Sequence, residues 1–203
     1  MLKGKPHWWD EGNKFLLQDD LLGPIVKQHQ GESLVGKGDL FATFVNSIVG
    51  QQISVIAADS IWNRLKEMVG EITPKQVSSF THAEIAACGL TKSKATYILG
   101  VAENPDGFLS PNWEELTDSE IHKHFVSFKG IGPWTAEMLM IFSLLRPDVF
   151  SIGDIGLVKA VKILVPEAET KEDVLQVAER WSPYKTAACW YLWRMLDPVP
   201  VAY

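Results

Sequence analysis

The stretch that decides the fold is residues 128–154, FKGIGPWTAEMLMIFSLLRPDVFSIGD. It places Gly130 and Gly132 on either side of one apolar residue, and a helix-forming run, 134–142, follows at once. Glycine lets the backbone take conformations that a Cβ resists, so the turn can be tight and its N–H groups exposed. The helix that opens there adds unpaired N–H groups and the positive end of its dipole. The pattern predicts an anion site, with phosphate as the obvious ligand.

The bulk composition is that of a globular protein without a metal cluster. A chain of 203 residues with 46% hydrophobic residues can form one domain or two small lobes around a sizeable core. The sequence contains no run of about eighteen apolar residues, so it predicts no membrane span. The start of the chain lacks the apolar core of a signal peptide. Cys88 and Cys189 are the two cysteines, too few for an iron–sulfur cluster or a Cys₄ zinc site. These features predict a cytosolic protein.

The net charge of −6 argues against a DNA partner held by charge alone. Backbone amides can bind phosphate without changing the net charge, however, and charge can be segregated on the surface. Lys94 and Lys129 lie near the segments expected to face DNA, whereas acidic residues cluster in 167–173. The balance predicts a modest affinity that depends on salt.

Nearly every segment is typical of a helix, and few show strand alternation. Asp39 and Ser54 are placed to cap helices, and Thr81 and Thr117 each precede a glutamate by three residues, the spacing of a capping box. The sequence predicts a compact all-α protein of about ten short helices. Asp197-Pro198-Val199-Pro200 predicts a tail that is not helical.

The glycine turn, the Thr135-Ala136 pair after it and an aspartate twenty-two residues beyond Gly132 together resemble the helix-hairpin-helix DNA glycosylases. Four further segments resemble the alkylation-repair 3-methyladenine DNA glycosylases, and they occur in the same order. These segments are LLGPIV (21–26), IVGQQIS (48–54), GLTKSKA (89–95) and AERWSPY (178–184). The similarity runs from about Leu16 to Trp193 and therefore covers most of the chain.

This resemblance implies two helical lobes with the active site in the cleft between them. Residues 40–146 would form a central lobe carrying the hairpin at about 127–136, and 1–39 with 147–203 would form the other lobe. The chain resembles a minimal form without the N-terminal β domain of the larger bacterial type. The implied protein is a monomer that acts on duplex DNA containing alkylated bases, in the cytoplasm at the nucleoid, without a cofactor.

The resemblance also implies a reaction, hydrolysis of the N-glycosidic bond of alkylated purines such as 3-methyladenine and 7-methylguanine after base flipping. Alkylation leaves a positive charge on the leaving base, so no general acid is needed. One carboxylate can stabilise the oxocarbenium-like sugar and orient the attacking water. Asp154 is the candidate, although its position before a helix also suits a simple N-cap.

Trp134 stands where the strand-cutting members of the family carry a lysine nucleophile. Tryptophan cannot form a Schiff base, so the resemblance implies a glycosylase without lyase activity. Trp193 matches the base-stacking tryptophan of the family, and Trp134 lies where another pocket aromatic sits; an aromatic pocket suits a cationic base. Met138 and Ile155 fall at pocket positions where better-known members carry tyrosines. Helix tryptophans are more commonly core residues, which is the alternative for both.

DNA contacts are expected from the hairpin and from one interhelical turn. The candidates are Gln52 as a wedge that fills the gap left by the flipped base, and Gly130, Gly132, Thr135 and Lys129 at the phosphate backbone. The alternative is that Gln51 and Gln52 satisfy backbone groups in an interhelical turn. Family members often hold a monovalent cation on hairpin carbonyls, which here match Val126, Phe128 and Ile131.

Two other functions remain open from the residues alone. One is a helix-hairpin-helix protein that docks on DNA or senses damage without chemistry, which would need neither the aspartate nor the tryptophans. The other is a related glycosylase for uracil, a mismatch or an oxidised base; the missing cluster cysteines and the absent lysine at Trp134 count against most of those groups.

Overall fold

Short helices behind hydroxyl or carboxyl caps make up most of this protein. The computed structural model describes residues 3–197, so only Asp197 of the predicted tail is described, and it is extended, not helical. Within that range there are thirteen helices and one sheet of two short strands, β1 (Lys3–Gly4) and β2 (Gly36–Lys37), which pair antiparallel. The helices are α1 (Trp9–Leu16), α2 (Gly23–Gln28), α3 (Leu40–Gly50), α4 (Val55–Val69), α5 (Pro74–Val77), α6 (His82–Ala87), α7 (Lys92–Glu103), α8 (Asp106–Leu109), α9 (Asp118–Val126), α10 (Pro133–Phe142), α11 (Ile155–Leu164), α12 (Lys171–Glu179) and α13 (Lys185–Leu196). The all-α prediction is confirmed.

The predicted helix starts follow from side-chain capping. Asp39 accepts a hydrogen bond from the Ala42 N–H at 2.9 Å at the start of α3, and Ser54 caps α4. Thr81 and Thr117 form complete capping boxes at α6 and α9, in which the glutamate three residues later accepts from the threonine N–H. None of the thirteen helices in residues 3–197 is long and apolar enough to cross a membrane.

The described chain divides into two compact units. One unit contains the described residues of Met1–Gly38 and Met140–Tyr203, and the other is Asp39–Leu139. We call these the terminal unit and the central unit. The resemblance predicted that the central lobe ends at residue 146. In the structure the central unit ends at Leu139, within α10.

The central unit is organised around a chain of aromatic rings that supports the glycine turn. Phe44 of α3 packs on Phe108 of α8 with ring centroids 5.0 Å apart, and Phe108 packs on Phe125 of α9 at 5.5 Å. Phe108 also meets Phe128 of the turn edge-to-face at 5.1 Å. Each fully buried ring of this kind contributes about 1.5–3 kcal/mol through burial alone. The turn therefore rests directly on the core of its unit.

The terminal unit joins the two ends of the chain through α1, α11 and α13. Trp9 of α1 is 1% exposed; it meets Trp190 edge-to-face at 5.4 Å and stacks on Tyr191 at 5.9 Å. Trp8 donates its indole N–H to the Leu145 carbonyl at 2.7 Å. These contacts hold α13 against the N-terminal segment, and α11 packs along α13.

Candidate functional site

The glycine turn between α9 and α10 needs a glycine at its first position. Gly130 has φ +91°, and a Cβ there would lie 2.1 Å from Cδ2 of Tyr97. Gly132 has no positive φ, and a Cβ built on it meets nothing within 4 Å. The expectation that both glycines take conformations closed to other residues is therefore correct for Gly130 and wrong for Gly132.

The turn presents backbone donors at the start of a ten-residue helix. Within residues 3–197, the N–H groups of Gly130 and Gly132 have no hydrogen-bond acceptor, and Gly132 is exposed. The Gly132 carbonyl already accepts from Ala136 N at 3.0 Å, which starts α10. Free N–H groups and the positive end of a helix dipole attract anions. Lys129 is exposed next to these donors.

The two glutamines between α3 and α4 have different surroundings. Gln51 is half-buried, and its Nε2 donates to the Gly130 carbonyl at 3.1 Å and to Oγ1 of Thr135 at 3.0 Å. Gln52 is exposed and has φ +58°, a left-handed conformation that is uncommon outside glycine. The alternative considered from the sequence, satisfaction of backbone groups, thus applies to Gln51 and leaves Gln52 available as a wedge.

Thr135 lies in the first turn of α10 but not on its surface. It is 2% exposed, and its hydroxyl accepts the hydrogen bond from Gln51. Thr135 was predicted to assist at the phosphate, but its side chain points inward and binds Gln51. The Thr135 side chain therefore supports the turn from inside the unit.

Asp154 in the terminal unit is held by two donors at one oxygen. It is the N-cap of α11, where Oδ1 accepts from Leu157 N at 2.9 Å, and the indole N–H of Trp193 reaches the same Oδ1 at 3.3 Å. The side chain is half-buried. The helix start and the indole therefore orient the carboxylate, so the capping role and the catalytic role predicted for this residue are compatible.

Gly156 was missed by the sequence reasoning. A Cβ on Gly156 would lie 3.0 Å from Oδ1 of Asp154 and 3.7 Å from Cδ1 of Trp193. Its place in α11 leaves room for this carboxylate–indole pair. A glycine inside a predicted helix often marks a place where another group packs closely against the helix. The presence of Gly156 in the predicted helix could therefore have indicated this contact.

Trp193 is more enclosed than a base-stacking residue was expected to be. It is 8% exposed, and one face of its ring stacks on Phe142 with centroids 5.6 Å apart and 23° between the planes. Phe142 was also missed, because a phenylalanine at the end of an apolar helix gives no signal beyond core packing. The terminal unit thus brings together Asp154, Trp193 and Phe142.

The remaining pocket candidates differ in exposure. Met138 is fully buried and Trp134 half-buried, whereas Ile155 is 84% exposed beside Asp154 in the chain. Met138 and Trp134 belong to the central unit and Ile155 to the terminal unit.

The carbonyl groups expected to hold a monovalent cation lie at the end of α9 and in the turn. The Phe128 carbonyl accepts from Ile131 N at 3.1 Å, and the second lone pair of this oxygen remains available to a cation. Within residues 3–197, the carbonyls of Val126 and Ile131 accept no backbone hydrogen bond from outside the helices. The negative end of the α9 dipole favours a cation at this place. The carbonyl oxygens present there are therefore suitable ligands for a monovalent cation.

The side chains of the described part of the chain form no cluster of three or more His, Cys, Asp or Glu residues that could hold a metal. Cys88 and Cys189 are both buried, and the thiol of Cys189 donates to the Val149 carbonyl at 3.5 Å. Burial raises the pKa of the Cys88 thiol, which keeps it in the unreactive protonated form.

Comparison with known proteins gives consistent matches. The pattern described as "HhH-GPD superfamily base excision DNA repair protein" matches residues 45–183. DNA-3-methyladenine glycosylase 1 of Schizosaccharomyces pombe is 32% identical over 178 residues, covering 84% of this chain and 78% of that protein. DNA-3-methyladenine glycosylase of Bacillus subtilis is 29% identical over 194 residues, covering 88% of this chain and 64% of that protein.

A solved structure extends the match to three dimensions. The S. pombe 3-methyladenine DNA glycosylase in complex with abasic DNA superimposes with a TM-score of 0.79 at 30% identity, covering 91% of this chain and 95% of that chain. The family pattern spans more than half of the 203 residues and includes both the glycine turn and Asp154. The chain therefore belongs to the HhH-GPD superfamily of base excision DNA repair proteins.

Proposed function

We propose that this protein is a DNA-3-methyladenine glycosylase that hydrolyses the N-glycosidic bond of alkylated purines in duplex DNA. The observation that carries the proposal is the carboxylate of Asp154, fixed by the α11 N-terminus and by the Trp193 indole. It lies in a chain whose relatives bear that enzyme name over most of their length.

The reaction needs one oriented carboxylate and a water molecule. The bond from C1′ to the alkylated base breaks, and the electron pair leaves with the base, whose positive charge is thereby neutralised. The negative charge of Asp154 stabilises the cationic sugar that forms. A bond from the water oxygen to C1′ then completes hydrolysis, and the carboxylate accepts the proton of that water.

The base must leave the helical stack before this chemistry can occur. The N–H groups of Gly130 and Gly132 are suited to hold a backbone phosphate, with Lys129 beside them. Gln52, exposed on the α3–α4 turn, is suited to fill the gap and hydrogen-bond the base left unpaired. A monovalent cation on the carbonyls of Val126, Phe128 and Ile131 would add positive charge next to that phosphate.

Within the terminal unit, the base would stack on Trp193, whose indole N–H reaches Oδ1 of Asp154. An indole attracts a cationic base over a neutral one by about 0.5–2 kcal/mol. Because Trp193 is 8% exposed and covered on one face by Phe142, a base would reach it only after neighbouring side chains move. Methionine and isoleucine in place of tyrosine would each remove one ring that could attract a cationic base.

The same proposal places the protein in the cytoplasm at the nucleoid, acting as a monomer on duplex DNA. Trp134, in place of a lysine, supports hydrolysis without strand cleavage. A protein that only docks on DNA would need Asp154 for nothing more than the cap of α11.

The test is a panel of duplexes, each with one damaged base: 3-methyladenine, 7-methylguanine, uracil or 8-oxoguanine. We expect release of the two methylated purines and retention of the other two, with binding measured on the same duplexes. Binding without release of any base would contradict the proposed enzyme and favour a docking protein. Release of uracil or 8-oxoguanine alone would identify another lesion as the substrate.

A further inference from the structure

The α3–α4 turn, which carries Gln52, is anchored by a lysine from a distant part of the central unit. The ammonium group of Lys94, in the first turn of α7, donates to the Val49 carbonyl at 2.9 Å and to the Gln51 carbonyl at 2.7 Å. Hydrogen bonds of this length from a charged donor are strong. Lys94 therefore neutralises the carbonyl end of α3 and fixes the backbone on the N-terminal side of Gln52.

The same turn is anchored to the glycine hairpin by a side chain. Gln51 Nε2 binds the Gly130 carbonyl and the Thr135 hydroxyl, at 3.1 and 3.0 Å. Thr135 is buried, and Gly130 is packed against Tyr97 too closely for a Cβ. Gln51 therefore connects the turn to a rigid part of the hairpin.

These anchors explain how Gln52 keeps an unusual backbone. A non-glycine residue at φ +58° persists only where its surroundings hold it there. The backbone carbonyl just before Gln52 is bound by Lys94, and the side chain just before it is bound to the hairpin. The exposed side chain of Gln52 is thus presented from a fixed position.

Lys94 was expected near the DNA as one of the lysines that offset the acidic net charge. Its ammonium group is instead occupied by two backbone carbonyls, and burial lowers the pKa of this amine. A phosphate contact would require the group to leave both carbonyls. The geometry therefore separates Lys94 from an exposed lysine such as Lys129.

We propose that Lys94 and Gln51 are positioning residues that hold the Gln52 wedge in register with the phosphate-binding hairpin. The inference rests on the proposed function, in which the wedge fills the gap while the hairpin holds the backbone. Both events act on one DNA molecule, so their spacing must be maintained during flipping. Lys94 and Gln51 maintain it without touching the substrate.

The test compares Lys94→Met with Lys66→Met, which removes the same charge from an exposed site on α4 in the same unit. Three quantities are measured: the single-turnover rate of 7-methylguanine release, the fluorescence of 2-aminopurine placed next to the damaged base, and the salt dependence of binding to undamaged duplex. We expect Lys94→Met to lower the release rate about ten-fold or more and to reduce the fluorescence rise. Its affinity for undamaged duplex and the salt slope should match those of Lys66→Met.

Two results would overturn the inference. A uniform loss of affinity with a salt slope lower by about one would make Lys94 a phosphate contact. Release rates equal to those of Lys66→Met would show that the turn needs no anchor. A wild-type protein that releases no methylated base would instead contradict the proposed function, which is a different outcome.

Gln51→Met provides a second variant that keeps side-chain length and removes the link to the hairpin. It leaves the bonds of Lys94 to backbone carbonyls in place, so it tests the inference even if Lys94→Met does not fold. We expect the same loss of release rate and fluorescence rise, with a melting curve close to that of wild type. Failure of both variants to fold would assign the two residues to stability and reject the positioning role.

Discussion

At the scale of single residues, Asp154 shows how a helix cap can also orient the carboxylate that we propose to act in catalysis. The sequence predicted both a helix cap and a catalytic carboxylate and left the choice open. Oδ1 accepts the Leu157 N–H and faces the Trp193 indole, so the cap is what orients the carboxylate. The residue type and the spacing were predictable, whereas the indole partner, thirty-nine residues further along the chain, was not.

Tyr191 gives a prediction about stability at high pH. Its side chain is fully buried and donates to Asn13 at 2.8 Å. Burial first, and the charge of Glu32 second, raise the pKa of Tyr191 to about 12. Because the folded-state pKa exceeds the unfolded value of about 10, this contribution to stability is complete below pH ~10 and is lost as pH rises toward ~12.

The measurement is the free energy of unfolding of wild type and of Tyr191→Phe at a series of pH values from about 8 to 12. We expect wild type to lose about 2 kcal/mol more than the variant over this range, because phenylalanine does not titrate. Parallel curves for the two proteins would show that Tyr191 does not ionise differently on unfolding.

Trp134 gives a prediction about the type of reaction. Borohydride traps the Schiff base that a lysine nucleophile forms with the sugar, and tryptophan has no amine to form one. We expect no covalent protein–DNA complex when the protein acts on methylated duplex in the presence of borohydride. A trapped complex would mean that another amine of this chain attacks the sugar.

At the scale of elements, the helices that the sequence did not predict all lack a side-chain cap, although α13 lacks one too and was predicted. The predicted helices α3, α4, α6, α9 and α10 are all present. Helices α1, α2 and α8 were missed. Their N-caps are Trp8, Leu22 and Pro105, none of which makes a capping hydrogen bond through its side chain. The two-residue strands are too short to show alternation, so tertiary packing determines them.

The hairpin gives a prediction that distinguishes its two glycines. Gly130→Ala must place a Cβ at positive φ and 2.1 Å from Tyr97, so the ring or the turn has to move. We expect a loss of at least about 2 kcal/mol of unfolding free energy, since the backbone conformation alone costs about 1–2 kcal/mol. Gly132→Ala meets open space and should cost less than about 1 kcal/mol.

Chemical denaturation of the two variants makes this comparison directly. Equal stabilities would show that the turn adapts at Gly130 and that Tyr97 does not constrain it. A greater loss in Gly132→Ala would contradict the described turn.

At the scale of the whole molecule, a net charge of −6 is compatible with DNA binding because the donors identified at the hairpin are backbone N–H groups. Composition therefore gives no sign of a DNA-contacting surface, whereas the glycine motif predicts one at the hairpin. The contacts that complete the site join residues far apart in sequence, such as Lys94 with Val49 and Trp193 with Asp154. No local pattern encodes such pairs, so they follow only from the fold.

In the proposed mechanism, the charge of Asp154 drives base release. The most direct measurement is the single-turnover release of 3-methyladenine and 7-methylguanine by wild type, Asp154→Asn and Asp39→Asn. Asp39 caps α3 as Asp154 caps α11, each accepting a backbone N–H at 2.9 Å, and asparagine caps helices as well as aspartate does. Asp39→Asn is therefore the matched control for loss of a capping charge.

We predict that Asp154→Asn folds and binds DNA like wild type but releases the bases about 10²–10³-fold more slowly, the usual effect of removing one group that stabilises transition-state charge. Asp39→Asn should release them at nearly the wild-type rate. If Asp154→Asn were as active as Asp39→Asn, Asp154 would be a helix cap alone and the account of catalysis would be wrong.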